Sequence, residues 1–201
     1  RSVVPGLRFP ALVDSAAMPL YSIFLQLERS QWLPAQDIQE LQSRQLDALL
    51  AHVWDTVPWY HARLHAAGIV RGQPVNRDAW QSLQRVTRRD LQDAGPSLHS
   101  NTVPPEHGKI ARKQTSGSTG QPVEVLRSGL DQLMWEAITL RDHAWHERDL
   151  SGKLCAIRAG VTRTPDGTWR RGWGPATDLL FDAGPAAALP IDTDVAEQVR
   201  W

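Results

Sequence analysis

The chain has one cysteine, no excess of either charge and no long apolar run, and each absence excludes a class of protein. A single thiol, Cys155, cannot form an internal disulfide or a multi-cysteine zinc site, and it fits a reducing compartment. The 22 Lys and Arg residues equal the 22 Asp and Glu residues, so the overall charge does not attract nucleic acid or an anionic membrane. The most apolar N-terminal stretch, 11–27, is interrupted by Asp14 and Pro19 and is too short for a membrane span. We therefore expect a cytoplasmic protein with no membrane span and no nucleic-acid partner.

Hydrophobic periodicity predicts a mostly helical N-terminal region over residues 1–95. Apolar residues at three- and four-residue spacing predict a helix from Ala35, which Pro58 ends. Thr87 is predicted to cap a short helix with Asp90 in its first turn. The shorter helices predicted in this region cover 20–29, 58–68, 77–84 and 88–93.

Residues 96–201 have a mixed character. Pro165-Asp166-Gly167 predicts a turn at a hairpin tip, and 182–190 predicts a loop with a short extended piece. The strands predicted here are 109–114, 122–128 and 153–159, and the helices are 129–147, capped by Ser128, and one from Asp194, capped by Thr193 or Asp194. The predicted fold class is α/β: a helical N-terminal region, followed by part of a mixed β-sheet with covering helices. The two regions, 1–95 and 96–201, are expected to form one domain or part of one.

The connection between the first two predicted strands reads TSGSTGQP from Thr115 to Pro122. Glycines permit backbone angles that let successive N–H groups turn toward one point, and hydroxyls add donors, so the composition suits a polyphosphate. The predicted phosphate-binding residues are Thr115, Ser116, Gly117, Ser118, Thr119 and Gly120. Composition alone favours a flexible surface hairpin equally well. A Walker P-loop is excluded, because Gln121 and Pro122 stand where that motif needs Lys and a hydroxyl residue.

The other residues able to carry chemistry have simpler interpretations. The pairs His61/His65 and His143/His146 have helical spacing, but no third metal ligand is indicated, so solvent-facing or capping roles are expected and no metal site is predicted. Cys155 is expected to be a buried strand residue. Most of the nine tryptophans, including Trp135 and Trp145 on the long predicted helix, are expected to pack in the core.

The order Thr-Ser-Gly-Ser-Thr-Gly-x-Pro resembles the phosphate-binding loop of adenylate-forming enzymes, the superfamily of acyl-CoA synthetases, adenylation domains and luciferases. The segments LLAHVWDTVPWYHARLHAAGI at 49–69, VTRRDLQDAGPSL at 86–98 and TDVAEQVRW at 193–201 are similar to the phenylacetate–CoA ligase branch, which includes proteins named for capsular polysaccharide biosynthesis. The resemblance covers about 35–201. It departs from the superfamily at Val123 and Glu124, where many members have Lys and then Gly.

The resemblance implies an ATP-dependent ligase that activates a small carboxylic acid, with aromatic acids among the candidates, as an acyl-adenylate and passes it to coenzyme A. ATP and Mg²⁺ would be required, and the loop would bind the ATP phosphates. The later family motifs, including the catalytic lysine, are not found, so we expect an N-terminal fragment that is inactive by itself, and we assign no catalytic residue. Two alternatives stay open: an acyl-adenylating enzyme that serves polysaccharide biosynthesis or another acceptor, and a non-catalytic nucleotide-binding or scaffold module.

Overall fold

A computed structural model describes residues 2–7, 9–115 and 122–201, and it divides into two compact units. The split unit consists of Arg1–Arg29 with Leu133–Trp201, and the continuous unit is Ser30–Gln132. The described α-helices are α1 (Met18–Ser30), α2 (Ala35–Thr56), α3 (His61–Ala66), α4 (Arg77–Ser82), α5 (Arg88–Ala94), α6 (Gly129–Trp145), α7 (Pro175–Asp178) and α8 (Val195–Arg200). Short 3₁₀ turns cover Ser15–Ala17, Pro58–Tyr60, Gly95–Leu98 and Pro105–His107.

Local capping explains where several helices begin and end. The Thr87 hydroxyl accepts the Asp90 N–H at 3.1 Å, and the Asp90 carboxylate accepts the Thr87 N–H at 2.8 Å, which confirms the predicted cap of α5. The Ser128 hydroxyl accepts the Asp131 N–H at 3.1 Å in the first turn of α6. After α3, Gly68 adopts a φ of +72°, the left-handed conformation that commonly terminates a helix. These predicted boundaries are therefore confirmed to within a few residues.

The four described strands form two small sheets, one in each unit. In the continuous unit, β1 (Ala111–Gln114) pairs antiparallel with β2 (Glu124–Arg127), and Gln114 lies opposite Glu124. In the split unit, β3 (Leu154–Arg158) pairs parallel with β4 (Ala186–Pro190), and Cys155 lies opposite Ala187. The predicted strands and the mixed α/β class are thus confirmed. Within the described residues, however, the strands form two separate sheets instead of one mixed sheet, since β1 and β2 lie in one unit and β3 and β4 in the other.

The segment 182–190 was expected to be a loop with a short extended piece; that piece is the strand β4, and only its pairing was not predicted. Its first four residues, Ala186–Leu189, are buried. One edge of β4 pairs with β3, and the other edge is hydrogen-bonded to the 164–170 segment. The Thr164 N–H donates to the Ala188 carbonyl and the Arg170 N–H to the Ala186 carbonyl, both at 2.8 Å. The turn at 165–167 is confirmed by the bond from the Thr168 N–H to the Pro165 carbonyl. The predicted hairpin is wrong, because the residues flanking this turn bond to β4 instead of to each other.

Each unit has its own hydrophobic core. In the split unit, Leu20 of α1 and Leu140 of α6 pack with Leu180. In the continuous unit, Leu64 and Ile69 form the centre of a cluster that partly buried side chains of α2 and α4 surround. Among the helices of the described ranges, none combines the length and apolarity that crossing a bilayer would require.

The tryptophans do not form the core that was predicted for them. None of the nine is buried, and Trp135 and Trp145 of α6 are 60% and 53% exposed. The helix α6 buries the face of Ala137 and Leu140, and these smaller residues occupy the core positions. The prediction that Trp135 and Trp145 pack inside is therefore wrong.

Candidate functional site

The base of the β1–β2 hairpin is closed by two hydrogen bonds. The Thr115 N–H donates to the Val123 carbonyl, and the Val123 N–H donates to the Thr115 hydroxyl oxygen, each at 3.0 Å. Thr115 itself is exposed, whereas Val123 is buried. The five other predicted phosphate-binding residues, Ser116, Gly117, Ser118, Thr119 and Gly120, lie outside the described residues. What is described is therefore the pair of residues at which the candidate loop leaves and rejoins the sheet.

The strands below this closure are charged. The Arg112 guanidinium lies 3.3 Å from the Glu124 carboxylate, and the His99 imidazole lies 4.0 Å from the same oxygen. Lys113 is exposed on β1 next to Arg112. Glu124 is thus compensated, and Lys113 adds positive charge on the strand that enters the loop. Positive charge at this end of the hairpin favours an anionic ligand.

A cavity of about 460 Å³ adjoins the hairpin within the continuous unit. Val123 and Glu124 form part of its wall, together with Tyr60, His52 and Ser100. Its volume lies within the range typical of small-molecule sites. No local sequence pattern indicates this cavity, since its lining comes from segments that are far apart along the chain.

His52 and Ser100 look like a base and a nucleophile, but their hydrogen bonds exclude that arrangement. The His52 Nε2 lies 3.3 Å from both the Thr56 and the Ser100 hydroxyl oxygens. Both hydroxyl protons are already donated, from Thr56 to the His52 carbonyl at 2.8 Å and from Ser100 to the Thr102 carbonyl at 2.6 Å. This pattern fits the tautomer with the proton on Nε2, in which the imidazole donates to the two hydroxyl oxygens and does not accept from Ser100. This cluster joins α2 to the segment around Ser100, and it is a structural link.

A second cavity, of about 560 Å³, lies in the split unit over β3 and β4. Its walls include two indole rings, Trp169 and Trp201, the thiol of Cys155 and the cations Arg163 and Arg200. The hydrogen bonds that Arg163 donates to Glu197 and then to Asp166 raise the pKa of Arg163, so the charge of this guanidinium is firmly compensated. Arg200 donates to the Ala196 carbonyl and has no carboxylate partner among the described residues. The cavity thus combines aromatic surface with two cations and two carboxylates, Asp166 and Glu197, both of which pair with Arg163.

Cys155 is exposed, so the prediction that it is a buried strand residue is wrong. Within the described residues, β3 has only β4 as a strand neighbour. The side chain of Cys155 faces the cavity, whereas the opposing residue of β4, Ala187, is buried. Nothing in the apolar run around Cys155 indicates which strand of the pair is covered.

The histidine pairs are held by local contacts. His61 bonds to the Trp54 carbonyl and stacks on the Trp54 ring at 5.7 Å, and His146 lies 3.5 Å from Asp142. Burial, followed by the charge of Arg148, lowers the pKa of His143 below its usual value. Over 2–7, 9–115 and 122–201, no group of three or more His, Cys, Asp or Glu is placed to hold a metal ion.

No protein-family model matches the chain, and no curated protein matches it.

Proposed function

We propose that the chain provides the polyphosphate-binding loop of an ATP-dependent, carboxylic acid-activating ligase. The observation that supports this most directly is the closure between Thr115 and Val123. It holds the two ends of the TSGSTGQP connection side by side on a strand pair, while Gly117 and Gly120 provide the freedom that a phosphate-binding turn needs. Lys113 at the entry of the loop adds the charge that an anion requires.

In the proposed reaction, a carboxylate oxygen of the acid attacks the α-phosphorus of ATP, and the bond to the pyrophosphate oxygen breaks. A thiol, proposed to be that of coenzyme A, then attacks the acyl carbon and releases AMP. Loop donors that hold the β- and γ-phosphates would keep the leaving pyrophosphate in line and stabilise its charge. Mg²⁺ would offset the phosphate charge. It would arrive bound to the nucleotide, since the described residues offer no cluster of protein ligands for it.

The cavity of the split unit, taken by itself, has the chemistry to bind an aromatic carboxylate. A flat ring can pack on Trp169 or Trp201, and the carboxylate can pair with Arg200. Aromatic carboxylic acids fit this combination better than aliphatic ones. Because Cys155 is the only cysteine and lines the cavity, its alkylation rate reports occupancy directly. We expect aryl carboxylates to slow alkylation and alkyl carboxylates of equal charge not to, and equal protection by both would contradict this expectation.

The nucleotide part of the proposal is tested by calorimetric titration of the chain with MgATP. Gly117→Val places a β-branched side chain where the backbone must turn, so several donors are displaced together. Ser118→Ala removes one hydroxyl of several, which corresponds to a loss near the low end of roughly 1.5–3 kcal/mol for a bond to a charged group. We therefore expect Gly117→Val to weaken binding far more than Ser118→Ala, with circular dichroism unchanged in both.

Absence of MgATP binding by the unmodified chain would refute the proposed nucleotide site. If the chain binds MgATP but an intact protein that contains it gives no acid-dependent pyrophosphate exchange, the alternative of a non-catalytic nucleotide-binding module is favoured.

A further inference from the structure

We infer that Thr115 is a positioning residue that acts through the Val123 N–H, and that it is not a direct phosphate ligand. The inference deepens the proposed function and rests on it, because it gives Thr115 a different role from the phosphate contacts that we propose for the loop.

In the β1–β2 hairpin, the hydrogen bond donated by the Val123 N–H departs from the regular pattern of backbone bonds. Ala111 lies opposite Arg127, and Gln114 lies opposite Glu124, so Thr115 and Val123 form the next pair. In an antiparallel ladder, the residues of a hydrogen-bonded pair exchange two backbone bonds. The Thr115 N–H makes its bond to the Val123 carbonyl, but the Val123 N–H donates to the Thr115 side chain. The hydroxyl oxygen thus replaces the backbone carbonyl as the acceptor in the last rung.

This substitution ends the ladder at a defined residue. The Thr115 carbonyl is released from the rung, so the chain can diverge after Thr115 while Val123 stays fixed. Val123 is buried and lines the cavity of the continuous unit, so its N–H would lose a partner where water has limited access. The hydroxyl of Thr115 therefore fixes the point at which the loop begins.

The experiment compares Thr115→Val, which keeps the shape and loses the acceptor, with Thr115→Ser, which keeps the acceptor. Thr102→Val, a matched change elsewhere in the same unit, is the control. Two quantities are measured: the exchange rate of the Val123 amide proton by NMR without nucleotide, and the affinity for MgATP by calorimetry. Loss of one hydrogen bond corresponds to a change of about three- to tenfold. We expect Thr115→Val to accelerate Val123 exchange and weaken MgATP binding by about that factor, and Thr115→Ser and Thr102→Val to change neither by more than about twofold.

The two readouts separate the inference from the proposed function. If the Val123 amide proton exchanges at the same rate in Thr115→Val as in the unmodified chain, the inference is overturned whatever the MgATP affinities are. If MgATP binding is weaker in that case, Thr115 is a direct ligand. Accelerated exchange in Thr115→Val with unchanged MgATP affinity would also overturn it. If the unmodified chain does not bind MgATP, the proposed function fails and the positioning role fails with it, while the exchange result still decides whether the hydroxyl closes the hairpin.

Discussion

The two strand pairs are held together by different interactions. Every residue of β1 is exposed, and the β1–β2 hairpin depends on its backbone ladder, the Thr115–Val123 closure and one surface ion pair. In the parallel pair, Ala186–Leu189 of β4 are buried and both edges of the strand are hydrogen-bonded. Segments with few buried apolar contacts open more easily than core strands. The parallel pair is therefore expected to be the more stable element, and the hairpin the more easily opened one.

The difference matches the roles that we propose for the two elements. A loop that must admit and release a ligand benefits from a hairpin that opens locally, whereas a cavity wall such as β4 benefits from a fixed position. Substitutions in one strand pair can therefore be compared with substitutions of the same kind in the other.

The largest effect is expected from Leu189→Ala. Leu189 of β4 has no exposed surface, so its truncation should lower the free energy of unfolding by about 2–5 kcal/mol. The counterpart Val125→Ala in β2, where the side chain is 45% exposed, should cost about 0.5 kcal/mol or less. Urea denaturation followed by circular dichroism measures both. Equal losses would mean that the hairpin contributes as much as β4 to stability.

A smaller effect is expected from Thr164→Val. The Thr164 hydroxyl accepts the buried Ala188 N–H at 2.8 Å, so its loss leaves that donor unsatisfied at a cost of about 1–3 kcal/mol. Thr115→Val removes a bond of the same chemistry from the partly buried end of the hairpin and should cost less, about 1 kcal/mol. Thermal unfolding of the two variants, each compared with its Ser counterpart, provides the test. A larger loss in Thr115→Val would reverse the proposed order of stability.

The ion pair of the hairpin should contribute little. The Arg112 side chain is 75% exposed, so Arg112→Gln should change the free energy of unfolding by at most about 1 kcal/mol. The difference from the unmodified chain should shrink as sodium chloride is added, since salt screens exposed charges. A difference that is large and insensitive to salt would show that Arg112 stabilises the hairpin by packing.

The smallest effect is a pH dependence at the entry to β3. Hydrogen bonds from the Ser151 hydroxyl and N–H lower the pKa of Asp149 below its ordinary value of 3.8. The unfolded chain therefore binds the proton more readily, so this contribution to stability is present above pH 3.8 and is lost as the pH falls through the lower, folded-state pKa. The free energy of unfolding of Asp149→Asn should therefore depend less on pH than that of the unmodified chain at pH values below about 4. Thermal melts across that range measure it, and identical acid dependence in both proteins would contradict the assignment.

The sequence predicted the elements whose signals are local. The cap formed by Thr87 and Asp90, the cap at Ser128 and the strands on either side of the TSGSTG connection each depend on residues within a few positions of one another. Short-range hydrogen bonds and turn composition determine such features, so one sequence is sufficient to find them.

The features that were missed depend on distant partners. An alanine-rich run such as Ala186–Ala188 has low strand propensity, and it forms a strand because β3 and the 164–170 segment bond to its two edges. The exposure of Cys155 and the cavity that it lines have the same origin. Of the candidate site, the sequence predicted the chain segment and its closure by strands, but not the bond from Val123 to Thr115, because a side chain takes the place of a backbone acceptor there.

The open hairpin also affects how two molecules meet. Within the described residues β1 and β2 form a two-stranded sheet, so each strand has an outer edge, and such edges can pair with a neighbouring molecule. β1 presents two adjacent cations, Arg112 and Lys113. A second copy aligned along that edge would bring like charges together without apolar surface to compensate. The charges that favour an anionic ligand thus also protect the hairpin against edge-to-edge aggregation.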